Sequence, residues 1–319
     1  MSLVAAVDCG TNSIRLLVAR VADDGALIDV HREMRVVRLG QGVDATGQFS
    51  DEAIERTRAA LADYVEVMTA AGVETVRMVA TSATRDAQNR DQFFTMTAEL
   101  LGRVSPGACA EVITGDEEAR LSFRGAVGEL DPADGPFVVT DLGGGSTEVV
   151  VGEGTADGVR VDAGFSADVG CVRVTERALP SDPPTAAEID AAQAFIAQRL
   201  DTAFARVPVA QARTWVGVAG TLTTLAALHL GLAEYDSDRI HLSRIPLTAL
   251  AEVCEELVAM TRADRAALGP MHPGRVDVIG GGSLVTMELA RQLHERAGIT
   301  ELVVSEHDIL DGIALGLAD

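Results

Sequence analysis

Two apolar runs, each interrupted by the same kind of polar turn, set the pattern of the chain. Leu3 to Asp8 is apolar up to its closing carboxylate, Gly10, Thr11, Asn12 and Ser13 follow, and Ile14 to Val21 is apolar again. The order recurs from Phe137 to Val151, where an apolar run ends at Asp141, Gly143, Gly144 and Gly145 lead to Ser146 and Thr147, and a β-branched run closes at Val151. Each reads as strand, tight turn, strand. Glycines let such a turn bare its N–H groups, and successive bared amides form an anion-binding concavity suited to phosphate. A carboxylate at the strand end, as at Asp141, could hold Mg²⁺ beside that phosphate. A plain hairpin is the bland reading of either turn alone. Two copies point to a duplicated domain whose hairpins face each other across a cleft.

The remaining periodicity fills in an α/β fold. Strands are predicted over Leu27 to Val37, Val76 to Ala80, Val112 to Ile113, Val159 to Ser166, Trp215 to Ala219 and Leu302 to Ser305. Helices are predicted from Ser50 or Asp51 to about Ala71, from about Asn89 to Leu101, from Thr185 to about Phe204, from Leu247 to Met260 and from Ile309 to Leu317. Ile54, Leu61, Tyr64, Val65 and Met68 give the first of these its apolar face. The turn around Gly217 and Gly220 leads into a further helix near Leu225, whose N-terminal amides suit an anion. A second triple glycine, Gly280 to Gly282, is expected to precede a helix from Val285 to Arg296. The Gly, Asp and Pro residues between Gly125 and Gly135 mark the expected boundary. Residues 1–125, with a closing helix at about 303–319, form one domain and 126–302 the other.

Composition narrows the chemistry. The formal charge of −22 opposes broad binding to nucleic acid or to a membrane surface. The chain contains no lysine, which excludes a Walker A lysine, a Schiff base and any lysine nucleophile. Phosphate must then be gripped by arginine, which binds it bidentately and keeps its charge. Cys9, Cys109, Cys171 and Cys254 are far apart and form no zinc pattern, so they are expected to be free thiols. The six histidines show no nucleophile–base spacing. No run suits a membrane span and the N-terminus shows no leader, so a cytoplasmic protein is expected.

Several single residues carry two readings. Arg15 beside the first turn is a ligand contact or a solvated strand residue. Arg85, closing Thr81-Ser82-Ala83-Thr84-Arg85 after a parallel strand, is a ligand contact or a loop residue. Asp116, Glu117 and Glu118 follow Thr114 as a helix start, where carboxylates favour the dipole. Glu118 could also accept a proton from an attacking water. Glu148 faces the cleft or solvent. Arg275 either starts a helix or looks into the cleft.

DCGTNSIRLL at 8–17, ATSATR at 80–85, ITGDEEARL at 113–121 and DLGGGSTE at 141–148 together resemble the exopolyphosphatase and guanosine pentaphosphate phosphohydrolase (Ppx/GppA) family. AGTLTT at 219–224, RVDVIGGG at 275–282 and VSEHDILDGIALGL at 304–317 are similar to its later motifs, so the resemblance runs through the chain in its short, two-domain form. It implies a duplicated actin-like, ribonuclease H-like fold of the sugar kinase/Hsp70/actin superfamily with an interdomain cleft. It implies Glu118 as catalytic base, assisted by Arg85 and Asp141. Gly10, Thr11, Asn12, Ser13 and Arg15, with Gly143, Gly144, Gly145, Ser146 and Arg275, are then the phosphate contacts. Asp141, Asp8 and Glu148 are the implied ligands of Mg²⁺, with Mn²⁺ as its substitute. The implied activity is removal of terminal phosphate from inorganic polyphosphate. The alternatives are pppGpp or a nucleoside triphosphate as substrate, a phosphotransferase, and a non-catalytic polyphosphate or (p)ppGpp sensor. A homodimer is an open option.

Overall fold

Val4 and Ala6 point to one face of the first strand, Ala5, Val7 and Cys9 to the other, and all five are buried. Such a strand is covered on both sides, as in a sheet with helices on each face. The computed structural model describes residues 3–22, 26–155 and 158–318. It divides into two units, Met1–Leu121 with Ile309–Asp319, and Ser122–Asp308. The helix Gly115–Val127 carries the chain from the first to the second.

In the first unit β1 (Leu3–Cys9), β2 (Ser13–Val21) and β3 (Leu27–Val36) form an antiparallel meander, and β4 (Thr75–Ala80) and β5 (Ala110–Val112) extend β1 in parallel. The sheet order is β3-β2-β1-β4-β5. Leu61, Tyr64 and Met68 from the helix Asp51–Ala71 and Phe93 and Leu100 from the helix Asp91–Leu101 pack with Val7, Leu16 and Val18. The closing helix Ile309–Ala318 brings Ile309, Leu310 and Ile313 against Val4, Ala6 and Leu17. Ser50 caps the helix Asp51–Ala71 by accepting from the Ala53 amide, and Gly72 ends it at φ 76°.

The second unit repeats the plan. β6 (Phe137–Leu142), β7 (Thr147–Thr155) and β8 (Gly158–Ala167) form the meander, β9 (Thr214–Val218) and β11 (Glu301–Val304) extend it in parallel, and β10 (Ser243–Pro246) pairs antiparallel with β11. The order is β10-β11-β9-β6-β7-β8. Without the added edge strand β10, the two sheets have the same order and the same directions. The long helix Ala186–Phe204 starts with a capping box in which Thr185 and Glu188 satisfy each other's amides. Buried Trp215 donates its indole N–H to Thr140 Oγ1 at 2.8 Å.

The second triple glycine departs from expectation. Gly280, Gly281 and Gly282 lie inside the helix Ile279–Ala297 instead of ahead of it. Glycine in a helix costs about 1 kcal/mol relative to alanine, so packing must compensate. A Cβ on Gly281 would stand 2.8 Å from the Cys171 carbonyl, and one on Gly282 2.7 Å from Thr221 Oγ1. Bare backbone is what lets this helix approach the helices Cys171–Ala178 and Gly220–His229 so closely. The helix Cys171–Ala178 and β10 are short elements that the sequence reading does not anticipate. No helix among the described residues is long and apolar enough to cross a membrane.

Candidate active site

Three turns of the first unit leave the carboxyl ends of its parallel strands: Gly10–Ser13 after β1, Thr81–Arg85 after β4 and Thr114–Glu118 after β5. Ligands of α/β sheets bind at such ends. Strand pairing places the first two side by side, and the Thr81 amide donates to the Cys9 carbonyl at 3.3 Å. The segment after Thr81 forms a helical turn, Ser82–Asp86, which aims Arg85 back toward β5. Arg85 Nη1 donates to Glu118 Oε2 at 2.7 Å and to the Ile113 carbonyl at 3.2 Å. The Glu118 side chain is only 8% exposed. Its neighbours on the same helix start differ: Glu117 reaches out to Arg77 and Asp116 to Arg120. Of the three acidic residues, Glu118 alone is buried.

The Gly10–Ser13 turn is closed by the Gly10 amide on the Ser13 carbonyl at 3.0 Å. The segment after β3 grips it from outside. The amides of Val37 and Arg38 both donate to the Asn12 carbonyl, and the Gly40 amide to that of Thr11. Arg38, with φ 51°, lies in the left-handed region. Gly40 sits against Thr11 Cγ2 and Ala83, where a side chain would collide with both. Arg15, cross-strand from Asp8, donates Nε at 3.0 Å and Nη2 at 2.7 Å to Asp8 Oδ2. Burial, and then the negative charge of Asp8, push the Cys9 thiol far up, so it is no nucleophile.

The second unit holds the equivalent parts. The Gly143 amide closes on the Ser146 carbonyl at 3.0 Å, as Gly10 does on Ser13. Asp141 and Glu148 occupy the register positions of Asp8 and Arg15 and lie directly opposite each other on β6 and β7. Both are buried. Ser122 Oγ donates to Asp141 Oδ2 and Ser166 Oγ to Glu148 Oε1, each at 2.6 Å. Opposed carboxylates repel, and two of them with hydroxyls behind form a hard oxygen donor set of the kind Mg²⁺ takes. By this test the residues fit that ion. Asp8, the third carboxylate expected to hold the ion, has its Oδ2 bonded by Arg15.

Arg275 stands elsewhere in the unit. It packs over Gly220, where any side chain would strike the guanidinium, and its Nη1 donates to Thr224 Oγ1 at 3.0 Å. It therefore borders the turn that follows β9. That turn is strained at Ala219, whose φ of 75° and ψ of 168° belong to a region used almost only by glycine. Burial raises the Cys171 thiol to about 11.

Sequence reasoning missed Ser122, Ser166 and Arg173, which touch the site only through the fold. It also missed Glu129, His241 and His307, whose donor atoms lie within 4.8 Å of one another. The Glu306 amide donates to His241 Nδ1 at 3.2 Å, which leaves the proton on Nε2, 2.9 Å from Glu129. Both His241 nitrogens are thus engaged in hydrogen bonds.

Comparison with known proteins decides the family. The model of the Ppx/GppA phosphatase family matches residues 17–316. The chain belongs to the Ppx/GppA phosphatase family. It is 63% identical over 321 residues to exopolyphosphatase 2 of Mycobacterium tuberculosis, covering 100% of this chain and 99% of that one. Among solved structures, an exopolyphosphatase-like protein superposes with a TM-score of 0.92 at 42% identity, over 99% of this chain and 98% of its own. The Aquifex aeolicus family member gives 0.78 at 30% identity, over 99% and 97%. The duplicated, actin-like α/β fold expected from the sequence is the fold of these family structures.

Proposed function

We propose that the protein is an exopolyphosphatase that hydrolyses the terminal phosphate of inorganic polyphosphate. The observation that carries this reading is the Arg85–Glu118 pair, with Glu118 buried, at the carboxyl ends of β4 and β5 beside the Gly10–Ser13 turn. Its likeness to the mycobacterial exopolyphosphatase supports the choice of substrate. A water oxygen attacks the terminal phosphorus, the bridging P–O bond breaks, and the shortened chain leaves with the bridging oxygen. Glu118 takes the proton of that water. Arg85 fixes the Glu118 carboxylate, and its planar fork offers further N–H donors to a phosphate oxygen. The amides of Thr11–Ser13 and Gly144–Ser146 bind phosphate oxygens in the substrate and in the transition state alike. Arg15, anchored on Asp8, is a further phosphate contact beside the first turn, and Arg275 is one beside the turn that follows β9. Asp141 and Glu148 would hold Mg²⁺, which when bound neutralises and polarises the phosphoryl oxygens.

The test is orthophosphate release with Mg²⁺ from short and long polyphosphate, pppGpp and ATP, side by side. Polyphosphate is expected to be the preferred substrate by k<sub>cat</sub>/K<sub>M</sub>. Preference for pppGpp or ATP would keep the chemistry and overturn the substrate. Binding without release from any of the four would make the protein a sensor.

A further inference from the structure

We propose that Arg173 is a positioning residue that aims the amides of the Gly143–Ser146 turn; this rests on the reading of that turn as a phosphate site. The helix Cys171–Ala178 begins against the turn and takes its carbonyls in succession. The Cys171 amide donates to the Gly143 carbonyl at 3.0 Å, and those of Val172 and Arg173 donate to Gly144 at 2.9 and 3.1 Å. The helix has no further amide for the next carbonyl, that of Gly145. Arg173 supplies one from its side chain, with Nε 2.7 Å from Gly145 O. Gly170 admits this approach, since a Cβ there would lie 2.6 Å from Gly144 O.

In a trans peptide the C=O and the following N–H point in opposite directions. Drawing the carbonyls of Gly143, Gly144 and Gly145 toward the helix therefore turns the amides of Gly144, Gly145 and Ser146 the other way, as a row of donors. The first unit reaches the same result with backbone alone, since Val37 and Arg38 together hold the Asn12 carbonyl. Asn12 and Gly145 occupy the same place in their turns. Arg173 thus does with a charged side chain what two amides do in the first unit.

The experiment compares Arg173→Ala, Arg173→Lys, Arg177→Ala and Gly144→Asp with the wild type. Arg177 stands on the same helix but packs over Phe195, so it controls for loss of the helix itself. Loss of one charge-assisted hydrogen bond to the turn corresponds to about tenfold in binding. Arg173→Ala is expected to raise K<sub>M</sub> for polyphosphate and the inhibition constant of inorganic phosphate about tenfold, with k<sub>cat</sub> changed less than about twofold. Arg173→Lys should recover part of this, and Arg177→Ala should leave both constants alone. Gly144→Asp puts a carboxylate into the turn and should abolish binding. If Gly144→Asp abolishes binding while Arg173→Ala has no effect, the proposal fails and the phosphate turn stands. If neither weakens binding in protein of native melting temperature, the turn itself is misread. Equal effects of Arg173→Ala and Arg177→Ala would reduce Arg173 to a structural role and overturn the proposal.

Discussion

The two hairpins share a register and a turn, yet they differ in charge. In the first, Asp8 lies opposite Arg15 and the pair neutralises itself. In the second, the same positions hold Asp141 and Glu148, two buried carboxylates with serine hydroxyls behind them. Duplication supplied one scaffold twice, and a change at one cross-strand position separated the roles. Both turns suit a phosphate group, and the second hairpin also suits a cation that accompanies one. The outer grips differ likewise: an irregular segment with Arg38 in a left-handed conformation holds the first turn, and a helix start plus Arg173 holds the second.

The largest expected effect lies in the first unit. Glu118→Gln should lower k<sub>cat</sub> roughly 10²–10⁴-fold with K<sub>M</sub> little changed, measured by orthophosphate release. Arg85 would then lack its carboxylate partner but keep its bond to Ile113, so the fold should survive. The second unit should respond through the metal. Ser122→Ala removes a hydroxyl from Asp141 and should raise the Mg²⁺ concentration for half-maximal activity roughly tenfold. The same titration on Arg15→Ala should move K<sub>M</sub> and leave the Mg²⁺ requirement alone; equal shifts in both variants would erase the division of roles. Gly40→Ala crowds Thr11 and Ala83 and should cost about 1–3 kcal/mol in denaturant unfolding. Ala219→Gly relieves a strained backbone and should stabilise by about 1 kcal/mol on the same assay. The smallest test is chemical. With Cys171 at about 11 and Cys9 and Cys254 also pushed up by burial, iodoacetamide at pH 8 should label only exposed Cys109.

Much of this was legible in the sequence because it is local. Strand, turn and strand are consecutive at Asp8 and at Asp141, so their composition exposes the duplicated hairpin, and Ser50 and Thr185 announce their helices by capping. Glu118 was set apart from Asp116 and Glu117 only as a possible cleft residue and then by the family resemblance, because burial depends on how the helix start meets β4 and Arg85. Ser122, Ser166 and Arg173 were illegible for the same reason. Each acts on a residue at least 18 positions away through a contact that the sheet order creates. The helical triple glycine misled because GGGS has the composition of a turn, and only the proximity of Cys171 and Thr221 explains its place in a helix.

The most direct test of the central claim is a single-turnover comparison of wild type and Glu118→Gln on polyphosphate with Mg²⁺, with substrate affinity measured in parallel. The account predicts orthophosphate release slowed by at least about 10² in the variant, with affinity within a few-fold of wild type. Release at the wild-type rate would remove Glu118 as the base and contradict the account.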